Sequence, residues 1–291
     1  GAVLERIPMP AAPSGLALSP DGSQLAVTCA APVSTVCLVE LSGPRPRVSA
    51  KFAAGHTATA PVFDPTGETL FVCHRFNDEV VAYDLKQRKL LSRIKADREP
   101  VAAALTPDGK WLFVVNHLPA AAGYGQIVSA RVSVIDAVAR RWHKTLRLPN
   151  GSGLALGVAI SPDGRHAAIT HNLARFTLPT TQLERGWMNT AALTLIDVAQ
   201  LEIINTVLLD NVELGAANPW AVAFTADGAR VAVTHAGTHE LSVIDFPAML
   251  ARLQRLPVAL APGEKPDPTC ASNIRDDVPV DLAFLVGLRR R

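Results

Sequence analysis

One four-residue signal recurs five times in this chain and limits its fold more than any other feature. It reads Ser19-Pro20-Asp21-Gly22, Asp64-Pro65-Thr66-Gly67, Thr106-Pro107-Asp108-Gly109, Ser161-Pro162-Asp163-Gly164 and Thr225-Ala226-Asp227-Gly228. Proline presets the second turn position, the short polar side chain caps the turn, and glycine takes the positive φ. An apolar run precedes each signal (Leu16-Ala17-Leu18 before the first, Ala221-Val222-Ala223-Phe224 before the last) and a second run follows it. The pattern predicts strand, tight turn, strand, five times over.

A third strand follows in each unit and ends on an acid: Glu40, Asp84, Asp136, Asp197 and Asp245. A fourth, more polar run comes next, as expected of an outer strand with one solvated face. Each unit is therefore a four-stranded antiparallel meander. Repetition of such a unit predicts an all-β chain, a β-propeller of four-stranded antiparallel blades with about five repeats. The blades start near residues 15, 57, 99, 155 and 218. From Pro20 the signal recurs at Pro65, Pro107, Pro162 and Ala226, so the spacing widens late in the chain. The added length sits mainly between second and third strands, in Leu118 to Ala130 and Asn172 to Thr190. Pro247, Met249, Leu250 and Leu253 predict one short helix. The organisation is propeller repeats over 1–246, a helix and Pro-rich irregular insertion over 247–281, and a partial outer strand over 282–291.

Composition excludes some roles. Of 291 residues 48% are hydrophobic and 19% charged, which is globular rather than disordered. Lys plus Arg less Asp plus Glu is 28 − 26 = +2, too little for a nucleic-acid partner held by bulk charge. No run of 18 apolar residues offers a membrane-spanning helix.

The second strands end as Ala26-Val27-Thr28-Cys29, Phe71-Val72-Cys73-His74, Phe113-Val114-Val115-Asn116, Ala168-Ile169-Thr170-His171 and Ala232-Val233-Thr234-His235. Third strands read Val132-Ser133-Val134-Ile135-Asp136 or close to it. Together these resemble the bacterial YVTN β-propeller repeat family, over roughly Gly15 to Phe246. The resemblance implies export to the periplasm or cell surface. It also implies a scaffold for protein or ligand binding, partnering a c-type cytochrome or a redox domain further along the chain. Family members include surface-layer proteins, lactonase-like enzymes and haem-binding propellers, so the alternative is a lactonase-like or metal-dependent enzyme that uses the histidines of the loop-rich face. Such propellers commonly close with seven blades, so the chain reads as a piece of a larger ring. Uncovered edges would then favour pairing or dimerisation. Val3 to Pro8 resembles a fourth strand that completes the last blade.

The second-to-third connections predict the elaborated face, and the proline turns the plain one. His74, His171 and His235 occupy one repeat position; His117 lies one residue past it, and His239 follows in the next loop. These are candidates for a binding face, and His74, His171 and His235 for a metal ion. The other reading is local: a strand-end histidine bonds the backbone and shapes the turn. Arg175, Arg185, Trp187 and Met188 in one long loop, and Tyr124 in the other, are residue types enriched at interfaces. No Cys-x-x-Cys-His occurs, so no haem is held covalently. Cys29 and Cys37 flank a hairpin loop and either pair across it or stay separate buried thiols, as Cys73 and Cys270 would. No catalytic motif stands out. The strand-ending aspartates cap turns, and Asp276, Asp277 and Asp281 form an acidic loop that would suit calcium.

Overall fold

The proline turns rest on a repeated hydrogen-bond circuit. In a computed structural model that describes residues 3, 5–174, 188–256 and 281–291, Ser19 Oγ donates to Asp21 Oδ1 at 2.6 Å and accepts from Gln24 N–H at 2.9 Å. Thr106 with Asp108, Ser161 with Asp163 and Thr225 with Asp227 repeat it, each at 2.5 Å. The second turn reverses the partners: Asp64 accepts from Thr69 N–H at 3.0 Å, and Thr66 donates to Asp64 at 2.8 Å. The Ser19 hydroxyl and the Ser23 amide and hydroxyl hold the Asp21 carboxyl down at about 2.

Five four-stranded antiparallel sheets grow from these turns, the blades of the predicted propeller. They are β1 to β4 (Pro13–Leu18, Gln24–Cys29, Ser34–Glu40, Arg47–Ala54), β5 to β8 (Ala58–Phe63, Thr69–His74, Glu79–Asp84, Lys89–Lys95) and β9 to β12 (Pro100–Leu105, Trp111–Asn116, Arg131–Asp136, Arg141–Arg147). The last two are β13 to β16 (Ser152–Ile160, His166–Ala174, Asn189–Asp197, Glu202–Leu208) and β17 to β20 (Pro219–Phe224, Arg230–His235, Glu240–Asp245, Arg289–Arg290). Within each sheet the spatial order follows the chain. The first strands begin within three residues of the expected blade starts.

By its contacts the chain divides into two compact units: Gly1–Val114 with Ser133–Lys144, and Val115–Val132 with Thr145–Arg291. In the first unit, Val36, Leu38 and Phe52 pack against Leu70, Val72 and Tyr83. In the second, Leu193, Leu195 and Val207 meet Val231, Val233 and Ile244. Where first strands approach closely, side chains are excluded. A Cβ on Gly157 would lie 2.4 Å from the Trp220 carbonyl and 2.6 Å from Thr170 Oγ1; one on Gly15 would lie 2.7 Å from Pro61.

Three expectations change. Residues 5–12 form no strand; Ile7, Met9 and Ala11 pack instead onto Val27, Cys29, Cys37 and Val39 of the first sheet. The fourth place in the fifth sheet, expected for Val3 to Pro8, belongs to Arg289 and Arg290, which lie within the outer strand expected over 282–291 and pair with Ile244 and Val243. The segment expected as a loop from Asn172 begins and ends as strand, with Leu173 opposite Thr190 and Ala174 opposite Asn189. The short helix is present as α1 (Phe246–Leu253). Asp245 accepts from Ala248 N–H at 3.0 Å, Pro247 stands in the first turn, and Met249 and Leu253 enter the core.

Candidate functional site

The strand-end residues share one geometry. Counting three back from the acid that ends each third strand gives Cys37, Val81, Ser133, Thr194 and Ser242. In an antiparallel pair these lie diagonally across from the second-strand ends. His171 stands opposite Ala192, and Thr194 opposite Ile169; His235 stands opposite Glu240, and Ser242 opposite Val233.

In the fourth sheet, His171 Nδ1–H donates to the Asn172 carbonyl at 3.1 Å, and Nε2 accepts from Thr194 Oγ1 at 2.7 Å. Thr194 and Thr206 hydroxyls continue the chain at 2.7 Å. Burial pushes the imidazole down to about 4, so it is neutral at pH 7. His235 repeats the pattern: Nδ1–H to the Ala216 carbonyl at 3.2 Å, and Nε2 to Ser242 Oγ at 2.8 Å. Burial, then the Arg291 charge, lowers its pKa.

The second sheet has Val81 at the third-strand seat, so its histidine finds other partners. His74 Nδ1 meets Glu79 Oε1 at 2.9 Å, and Gly55 N–H donates to Nε2 at 3.2 Å. Arg93 pairs with the same Glu79 oxygen at 2.5 Å. Burial lowers the His74 pKa, and Glu79 opposes the shift. In the third sheet, Asn116 Nδ2 donates to the Arg131 carbonyl at 3.0 Å. These side chains lock second strand, third strand and incoming backbone together.

The ring nitrogens of His74, His171 and His235 are thus engaged by neighbouring strands and by the connections that enter them. Among the described residues no group of three or more His, Cys, Asp or Glu is arranged to hold a metal ion. His117 Nδ1–H donates to the Ala155 carbonyl at 3.3 Å. His239 is exposed in the β18–β19 turn at a φ of 56°. Tyr124 is 96% exposed and Met188 66% exposed, both on second-to-third connections. Arg175, Arg185 and Trp187 lie outside the described residues, as do Cys270, Asp276 and Asp277. Asp281 accepts from Ala283 N–H at 2.8 Å and so caps a turn. Cys29, Cys37 and Cys73 are buried free thiols, so Cys29 and Cys37 are not bridged.

One cluster has no sequence signal behind it. Asp210, buried after β16, accepts from Ala191 N–H at 2.6 Å and from Ala216 N–H. Burial raises its pKa; Arg291 and Arg289 oppose that. Arg291 donates to the Leu209, Gly215 and Leu214 carbonyls at 3.1, 3.1 and 3.3 Å and pairs with Glu240 at 3.5 Å. Burial brings Arg289 down to about 10. Arg289 on the short strand β20 and Arg291 just after it therefore fasten the connection between the fourth and fifth sheets.

No family model matches the chain. The chain is similar to the hydrazine synthase subunit beta of Kuenenia stuttgartiensis, with 24% identity over 165 residues, 57% of this chain. It covers 41% of that relative, less than half its length. Among solved structures it is similar to Kuenenia stuttgartiensis hydrazine synthase, at a TM-score of 0.61 and 19% identity, over 100% of this chain and 89% of that one. At that identity the likeness is one of fold.

Proposed function

We propose that this propeller is an exported binding scaffold that joins a multi-subunit redox assembly, with a c-type haem protein as its partner. The observation that carries the reading is the alignment with a protein named as a subunit. The site chemistry agrees with it: the buried histidines bond neighbouring side chains and backbone and so serve the scaffold. The contact surface on this reading is the loop face, where Tyr124 and Met188 hold apolar side chains in water. The resemblance to repeats that accompany cytochromes supports export and the haem partner.

The test replaces Tyr124 and Met188, singly, with a photo-crosslinking amino acid and expresses the chain in its native host. Crosslinked species are identified by mass spectrometry and by haem absorbance. A haem-containing adduct from both positions supports the reading. No adduct from either position, or adducts only from control positions in the proline turns, overturns it.

A further inference from the structure

In the first sheet the repeat seat holds a different chemistry. Cys29 occupies the place of His171 and His235, and Cys37 that of Thr194 and Ser242. The register is the same: Cys29 stands opposite Thr35, and Cys37 opposite Val27. The two thiols therefore share the seat that imidazole and hydroxyl fill in the fourth and fifth sheets. Both cysteines are fully buried. The incoming segment also corresponds. Gly55 and Ala216 lie three residues before β5 and β17 and bond the histidines; the same offset before β1 is Pro10, beside Met9. Met9 packs against the cluster that contains both cysteines.

We propose that Cys29, Cys37 and Met9 form a binding site for a soft monovalent metal ion, Cu(I). Two thiolates and a thioether are ligands that select Cu(I). A structural zinc ion needs four nitrogen, sulfur or oxygen ligands, and no third His, Cys, Asp or Glu joins the pair among the described residues. A disulfide fits less well than a bridging ion. Diagonal positions have Cα atoms roughly 7–8 Å apart. Disulfides span about 4.4–6.8 Å, so an S–S bond requires the backbone to move. An ion between the sulfurs lengthens the link and leaves the strands in place. Burial raises the Cys37 thiol pKa, and the charge of Lys51, opposite Cys37 on β4, works against that rise. Binding balances as Cu⁺ + 2 RSH → [Cu(SR)₂]⁻ + 2 H⁺, so Lys51 also offsets the anion formed. Ile7, Ala11, Val27, Val39 and Leu41 surround the site with apolar groups that exclude water and oxidants.

The experiment titrates the reduced full chain, carrying Cys270→Ala, with Cu(I) under anaerobic conditions against a bicinchoninate competitor. One Cu(I) per chain is expected, with thiolate-to-copper absorption in the near ultraviolet. Affinity should rise about 100-fold per pH unit below the thiol pKa, since two protons leave. Cys29→Ser and Cys37→Ser should each weaken binding at least 100-fold, Met9→Leu about 10-fold, and Cys73→Ala not at all. The double variant Cys29→His/Cys37→Thr rebuilds the pair of the fourth sheet. It should fold, by circular dichroism and melting temperature, and bind no copper, which separates loss of ligands from loss of fold. Copper held equally well by the double variant would overturn the proposal. So would a reduced wild-type chain that leaves copper with the competitor, including one whose thiols simply form a disulfide on mild oxidation.

Discussion

The first and fourth sheets share a frame and differ at one seat. Gly15 and Gly157 stand four residues before their turns, and Thr28 and Thr170 precede the strand ends. Both glycines mark a close approach to the next first strand. Only then do the sheets part, with two thiols in one and an imidazole–hydroxyl chain in the other. The shared frame is backbone packing, which tolerates no added atoms. The seat is a diagonal side-chain pair whose members bond each other in some sheets and other neighbours in others, so its chemistry is free to vary.

The largest effect should come from the frame. Gly157→Ala drives a methyl group into the Trp220 carbonyl, and backbone cannot yield as a side chain can. A loss of about 3 kcal/mol is expected in denaturant melts. Gly15→Ala meets Pro61 Cδ at 2.7 Å, Thr28 Oγ1 at 2.9 Å and the Ala60 nitrogen at 3.0 Å, longer contacts than the 2.4 Å at Gly157, and should lose less. Equal losses would break the distinction between the two approaches.

At the seat, His171→Ala leaves the Thr194 hydroxyl and the Asn172 carbonyl without their partner. A loss of about 2 kcal/mol is expected, measured the same way. His171→Asn should recover part of it, because its amide still reaches a neighbour.

Acid should separate the sheets as well. His171 takes up a proton near pH 4 when folded and near 6.5 when unfolded, so the unfolded chain binds more protons between those values. Stability is therefore complete above about pH 6.5 and falls as the pH drops toward 4. His171 alone accounts for about 2 kcal/mol between pH 7.5 and pH 5. His74 and His235, also lowered by burial, act in the same direction. Melting temperature followed from pH 7.5 to 5 should fall steeply in the wild type and less in His171→Asn. A slope unchanged in His171→Asn would contradict the neutral, buried imidazole.

The smallest effect belongs to the surface. Tyr124→Ala, at an almost fully exposed position, should change stability by less than about 0.5 kcal/mol while weakening partner capture. A large loss of stability would mean that the loop packs on the scaffold.

The parts legible in the sequence were those governed by neighbours along the chain. Proline turns, the acid at each third-strand end and the Asp245–Pro247 start of α1 all depend on residues a few positions apart. The seat was half legible: the histidines stood out, but their hydroxyl partners did not, because pairing register decides that Thr194 meets His171. Asp210 with Arg289 and Arg291 was invisible, since about eighty residues separate the partners. Val3 to Pro8 resembles an outer strand, but a short run cannot say which sheet an apolar segment covers; Ile7 and Met9 lie on the first.

The reversed second turn bears on how such repeats drift. In Asp64-Pro65-Thr66-Gly67 the carboxylate and hydroxyl have traded places, yet the circuit to the amide five residues on persists. A hydroxyl at both positions would still donate and accept, so the exchange has a bonded intermediate one substitution from either end. Selection at this turn therefore acts on the pair, and each position alone can look unconstrained while the bond between them never lapses.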